Sequence, residues 1–258
     1  MRHELALAMR QVGAMVLKCR QEGNLGGKWE GTQFKANADL IAEECLREKL
    51  QHIADIPIIS EENISSQLVD RPPKYWLIDP IDGTASFAQG FSGFVCQAAL
   101  IRDGQPWLAA VFAPALERLY LAERGMGATI NGQPIGVKLA NLQQLSLIDN
   151  YPQPKGVAEN LFRDLHCSDY IESGSIGLKI CLVAEGTADI FVKDVCVRDW
   201  DVGAPHLVLQ EAGGVLTQFT GEDFDYQGKY EKCGLVVTSS MALLHKVRET
   251  ITSYGCDS

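Results

Sequence analysis

Residues 76–84 constrain this chain more than any other stretch. They read Trp76, Leu77, Ile78, Asp79, Pro80, Ile81, Asp82, Gly83 and Thr84. The apolar run from Trp76 stops at an aspartate, the pattern of a buried strand reaching the edge of its sheet. Pro80 has no amide hydrogen and cannot extend a central ladder, so the chain is expected to turn there. Asp79 and Asp82 then share the turn, Gly83 permits close approach of a ligand, and Thr84 adds a hydroxyl. Two carboxylates held together need a cation or a shared proton. An oxygen-rich turn of this kind suits a hard cation such as Mg²⁺. For an isolated Asp-x-x-Asp-Gly a solvated turn is the commoner outcome, so the rest of the chain has to decide.

The length of 258 residues allows one large domain or two closely packed halves. The expected division is an N-terminal α+β half, 1–140, carrying most candidate ligands, and a C-terminal α/β half, 141–258, completing the site. A net charge of −10 leaves no basic face for a nucleic-acid duplex. A small phosphorylated substrate stays compatible with that charge if metal ions supply the positive field. None of the eight cysteines forms a Cys-x-x-Cys pair, which argues against zinc ribbons and thioredoxin chemistry. Most lie in apolar stretches and read as small buried hydrophobes in a reducing compartment. The N-terminal residues lack a continuous apolar signal segment, and no run has the length of a membrane helix. A soluble, cytoplasmic protein with no membrane partner is the expectation.

Leu5, Ala8, Met9, Val12 and Val16 fall at helical spacing and predict a helix over 3–20. A glycine-rich loop follows, with Lys28, Trp29 and Lys35 in or beside it as possible phosphate contacts or ordinary surface residues. A second helix is expected from Asp39, capped by Asn37 or Asp39. Ile56 to Ser60 reads as a strand running into Glu61 and Glu62, of which at most one can face a given site. Strands over 94–101 and 107–112, joined by a tight turn, predict a hairpin, and 118–122 and 128–131 continue the β pattern. Strands and helices then alternate. Gly203 to Ala212 reads as a helix with Pro205 in its first turn and Gly213 beyond its end. Asp201 would lie at that helix N-terminus, as a ligand or as a simple cap. The alternation argues for a layered α/β sandwich.

These motifs together resemble the lithium-sensitive, magnesium-dependent phosphomonoesterase superfamily that includes inositol monophosphatase. The first is Trp76 to Thr84. The second is Trp200, Asp201, Val202, Gly203 and Ala204, followed by Glu211, Ala212, Gly213 and Gly214. The resemblance implies a five-layer αβαβα sandwich and two or three Mg²⁺ ions. It implies Glu61, Asp79, Asp82, Asp201 and the backbone carbonyl of Ile81 as metal ligands. Thr84 and Asp39 would orient the attacking water with Glu61, and Gly83 and Thr84 would hold a phosphate oxygen. The family's usual threonine three positions before this aspartate is Ala36 here, which makes Asp39 the less secure assignment. Relatives of this kind commonly form homodimers, of which the sequence gives no independent sign.

Several segments look more like the 3′(2′),5′-bisphosphate nucleotidase branch, whose substrate is 3′-phosphoadenosine 5′-phosphate. They are Asp55 to Glu62, Leu178 to Gly186 and Ala110 to Pro114. Lys179 would meet a second phosphate or stay a solvated lysine. Against that branch, Ala85, Ser86 and Phe87 replace its common Lys-Glu-Phe. Asp194 stands seven residues before Asp201, where inositol monophosphatases place a hydroxyl-binding glutamate; substrate contact through Asp201 is also implied. The alternatives are therefore an inositol or related sugar phosphatase, and a catalytically weak binding or regulatory relative.

Overall fold

The computed structural model describes residues 1–22, 27–30, 33–139 and 141–254, without the side chains of 27–30 and 33–36. Lys28, Trp29 and Lys35 therefore lie outside the described side chains. Helix α1 (Arg2–Gln21) comes first, then the hairpin β1 (Gly27–Glu30) and β2 (Gln33–Ala36), then α2 (Asn37–Ile53). The expected stripe Leu5, Met9, Val12 and Val16 is buried. Helix α2 starts at Asn37, so Asp39 sits within its first turn, where a carboxylate complements unpaired amides.

The chain continues through β3 (Ile58–Ser60), the single turn α3 (Ile64–Gln67), β4 (Lys74–Asp82), the short α4 (Thr84–Ala88), β5 (Val95–Arg102) and β6 (Gln105–Ala113). Strands β7 (Arg118–Glu123), β8 (Ala128–Ile130) and β9 (Gln133–Ile135) complete a seven-stranded sheet in the order β3-β4-β5-β6-β7-β8-β9. The remainder runs β10 (Ser146–Asp149), α5 (Val157–Asp164), β11 (Asp169–Glu172), α6 (Ile176–Ala184), β12 (Ile190–Lys193), β13 (Val197–Arg198), α7 (Asp199–Glu211), β14 (Val215–Thr217), β15 (Glu231–Lys232), β16 (Leu235–Thr238) and α8 (Met241–Ser253). Its five-stranded sheet has the order β11-β10-β12-β16-β14, and β13 and β15 form a separate ribbon.

Side-chain alternation turns these sheets into layers. One face of the large sheet, with Trp76, Ile78, Cys96 and Leu100, packs on α1 and α2. Its other face, with Tyr75, Leu77, Ala99 and Ile101, packs on α6 and α7, which also meet Ile148, Phe191 and Val237 of the small sheet. The far side of the small sheet, with Leu147, Ile190 and Val236, is covered by α5 and α8. The five layers are thus α, β, α, β, α, as the resemblance implies.

Two local expectations are corrected. Strand β4 does not stop at Asp79. It pairs Asp79 with Gln97 and resumes at Asp82 opposite Val95, with one extra residue on β4. Pro80 sits in this bulge, where a missing amide breaks no ladder bond. Helix α7 begins at Asp199 rather than Gly203, so Pro205 lies in its second turn. Pro205 leaves the Asp201 carbonyl without its helical donor. The buried Gln97 side chain supplies one instead, from Nε2 to the carbonyls of Trp200 at 2.9 Å and Asp201 at 3.3 Å.

Candidate active site

The bulge at the end of β4 places Asp79, Ile81 and Asp82 at the sheet edge facing the first turn of α7. One carboxylate oxygen from each of Glu61, Asp79 and Asp201 lies within 4.8 Å of the others. Glu61 follows β3, Asp79 lies on β4 and Asp201 on α7, so three elements converge. Asp79 accepts from the Ile81 amide at 3.0 Å, and Asp201 accepts from the Arg198 amide at 2.8 Å. Asp82 Oδ2 accepts from the Gly177 amide at 2.6 Å. A Cβ at Gly177 would stand 3.1 Å from that oxygen and 2.6 Å from Gln97 Oε1, so a larger residue there would displace the Gln97 side chain. Thr84 Oγ1 donates toward Asp39 Oδ1 at 3.3 Å and the Ile81 carbonyl at 3.0 Å.

Burial raises the pKa of Glu61, Asp79 and Asp82, and brings Asp201 up to about 7. Repulsion adds to it: the next largest influences on Glu61 and Asp79 are each other's neighbours in the cluster, Asp201, Glu62, Asp82 and Asp39 among them. For Asp82 the Gly177 amide and Lys179 act in the opposite direction.

A cavity of about 850 Å³ opens from Asp82 and Gly83 toward Lys179, Lys193, Phe91 and Tyr151. Lys179 is 2% exposed, not a solvated lysine. Its Nζ donates to Asn150 Oδ1 at 3.1 Å and the Gly174 carbonyl at 2.8 Å and lies over the Phe191 ring. Burial lowers its pKa to about 8, so it remains largely charged near neutral pH. Asp194 lies exposed in the loop after β12 and does not line this cavity. His206 is a structural residue: its Nδ1 meets Tyr226 Oη at 2.9 Å.

A model of the inositol monophosphatase family matches residues 2–253. The chain belongs to the inositol monophosphatase family. It is 33% identical to the 3′(2′),5′-bisphosphate nucleotidase CysQ of Aggregatibacter actinomycetemcomitans, over 73% of each chain. It is 30% identical to the Nus factor SuhB of Xylella fastidiosa, over 86% of this chain and 82% of that one. It is also 30% identical to a fructose-1,6-bisphosphatase/inositol-1-monophosphatase of Aquifex aeolicus, over 86% of each. The fold matches a Thermotoga maritima IMPase with a TM-score of 0.80 at 24% identity, covering 96% of this chain and 95% of that one.

As a member of this family the chain is a phosphomonoester hydrolase, and the family is metal-dependent. The donor set fits a hard cation: carboxylates that repel one another and a backbone carbonyl, with neutral amides fixing their spare oxygens. Two supporting residues escaped the sequence reading. Gln97 ties the large sheet to α7, and Glu43 of α2 accepts from Ser60 Oγ at 2.5 Å, immediately before Glu61. The apolar run on either side of Gln97 marks it as buried, since both faces of β5 are covered, but its partners are long-range and carry no local signal.

Proposed function

We propose that the chain is a Mg²⁺-dependent 3′(2′),5′-bisphosphate nucleotidase that hydrolyses 3′-phosphoadenosine 5′-phosphate to AMP and phosphate. The observation that carries this reading is the buried Lys179 in the wall of a cavity that begins at Asp82. Its ammonium has three hydrogens and two protein acceptors, which leaves one for a second phosphate. Exposed Phe91 and Tyr151 line the same cavity and offer faces for a base. The 33% identity to a CysQ nucleotidase supports the same branch.

Glu61, Asp79, Asp82, Asp201 and the Ile81 carbonyl would hold two or three Mg²⁺ ions. When bound, such ions neutralise phosphoryl oxygens, lower the pKa of a water and stabilise the leaving oxygen. The chain's own groups orient the reaction. Thr84 accepts a hydrogen from the attacking water while its own hydroxyl hydrogen points to Asp39, with Glu61 on the water's other side. The amides of Gly83 and Thr84 hold a phosphoryl oxygen. Displacement is in line, without a covalent intermediate. A soluble protein of the cytoplasm is the setting this substrate requires.

The test compares kcat/KM for 3′-phosphoadenosine 5′-phosphate and inositol 1-phosphate in Mg²⁺, with fructose 1,6-bisphosphate alongside. A strong preference for the nucleotide is expected. Preference for the inositol ester overturns the nucleotide assignment, and no phosphate release from any of the three by folded protein returns the chain to a binding role.

A further inference from the structure

Helix α2 buries an apolar stripe of Ala38, Ala42, Leu46 and Leu50, and with it two carboxylates, Asp39 and Glu43. The two acids are four positions apart and share one face of the helix. Asp39 meets the Thr84 hydroxyl at 3.3 Å. Glu43 lies outside the cluster of Glu61, Asp79 and Asp201, yet it is buried as well. A buried carboxylate is costly unless it is bonded. Glu43 Oε1 accepts from Arg47 Nη1 at 3.2 Å, within the same helix. Its Oε2 accepts from Ser60 Oγ at 2.5 Å, and that bond joins α2 to β3.

Ser60 is the last residue of β3 and pairs with Ile78 of β4. Glu61 follows, past the end of the ladder, and its amide makes a long bond of 3.4 Å to the Ile78 carbonyl. Side chains hold the stretch more closely. Ser60 Oγ accepts from the Glu62 amide at 3.3 Å, so one hydroxyl spans Glu61. Gln67 Nε2 donates to the carbonyls of Ser60 at 2.8 Å and Glu61 at 3.1 Å. A serine hydroxyl has a single hydrogen. With that hydrogen committed to Glu43, the lone pairs of the oxygen are left for the Glu62 amide. Glu43 thus sets the direction of the hydroxyl that closes the turn around Glu61.

We propose that Glu43 is a positioning residue: through the Ser60 hydroxyl it fixes the backbone of Glu61, and so the place of that carboxylate among the metal ligands. The inference rests on the reading of Glu61 as a ligand and is independent of which phosphate ester the enzyme takes. It also gives α2 two duties one turn apart. Asp39 orients the Thr84 hydroxyl, and Glu43 secures the carboxylate on the other side of the attacking water.

The test is Mn²⁺ binding to the full chain by titration calorimetry, with circular dichroism to show that each variant is folded. Glu43→Ala and Ser60→Ala should each weaken binding about tenfold, as loss of a group that orients a ligand does. The double variant should bind no more weakly than Ser60→Ala, because both changes break one bond. Glu43→Gln, whose amide still bonds to the Ser60 hydroxyl, should restore binding toward the wild-type value. Arg47→Met breaks the pair within α2 and should bind as the wild type does. Wild-type affinity in folded Glu43→Ala, additive losses in the double variant, no recovery in Glu43→Gln, or an equal loss in Arg47→Met overturns the positioning role. If Glu43→Ala does not fold, Ser60→Ala carries the same comparison, and its wild-type affinity overturns the role. Glu61→Gln tests the reading beneath. Unchanged binding there removes Glu61 from the metal site, whereas a loss there beside wild-type affinity in Glu43→Ala and Ser60→Ala removes only the role of Glu43.

Discussion

Gln97→Leu isolates the contribution of one buried amide to the whole site. The replacement is close in volume, so loss of packing is small. What disappears is the donor to the Trp200 and Asp201 carbonyls. Pro205 already denies Asp201 its helical donor, so that carbonyl is left buried and unpaired. Such a group costs about 1–3 kcal/mol. At ~2–4 °C per kcal/mol for a chain of this size, Tm should fall by roughly 2–12 °C. The same loss frees the first turn of α7 from β5 and lets Asp201 drift from Asp79, whose own Oδ2 lies 3.5 Å from Gln97 Nε2. Groups that orient metal ligands are typically worth ~10-fold or more in metal affinity, so the half-saturating Mg²⁺ concentration should rise about tenfold. Thermal unfolding with and without Mg²⁺, and Mn²⁺ binding followed directly, measure both effects. Wild-type Tm together with wild-type metal affinity would refute the argument that Gln97 joins the two halves of the cluster.

Asp82→Asn should abolish phosphate release and leave a folded protein by circular dichroism, because the amide cannot supply the anionic oxygen; wild-type turnover would remove the metal-centre assignment. Li⁺ should inhibit at concentrations where Na⁺ is harmless, as measured by phosphate release, and equal effects of the two ions would count against that family trait here. His206 gives a pH prediction. Burial lowers its pKa from 6.5 to about 4, so the unfolded chain takes up a proton that the folded one refuses. Stability from the neutral ring is fully present above pH ~6.5 and is lost as pH falls toward ~4, with an upper value of ~2–3 kcal/mol. His206→Gln, which can still bond to Tyr226, should flatten the acid limb of Tm against pH; an unchanged limb would assign acid lability to other groups.

The helices and the acid motifs were legible in the sequence because their signals are local. The stripe of α1 repeats every turn, and Asp79, Asp82 and Thr84 stand within six residues of one another. The bulge in β4 was not legible, because proline at a strand end and proline in a bulge share one pattern. Only the register against β5 separates them. The start of α7 was misplaced for a related reason. Pro205 reads as a first-turn residue, since a proline deeper in a helix leaves an unpaired carbonyl, and the compensating donor is more than a hundred positions away at Gln97. The edge strands β9 and β11 are short and largely exposed, so their composition is that of loops.

The corrections share one physical cause. Each lies where the acid cluster is assembled from separate layers, and at α7 the local rule that Pro205 breaks is restored by a long-range group, Gln97. Asp79 and Asp82 are on the large sheet, and Asp201 is on a helix between the two sheets. Bringing these carboxylates together opposes folding, since burial and mutual repulsion both raise their pKa values. The surrounding amides of Ile81, Gly177 and Arg198 offset part of that cost without neutralising the charge. A basic side chain bonded within the cluster would stabilise the fold more, and would fill the place a cation needs. The carboxylates of Glu61, Asp79, Asp82 and Asp201 thus lie beside a cavity that begins at Asp82 and whose walls carry Lys179 and Lys193. That separation of charge suits a ligand that arrives with its metal at one end and a second anion at the other.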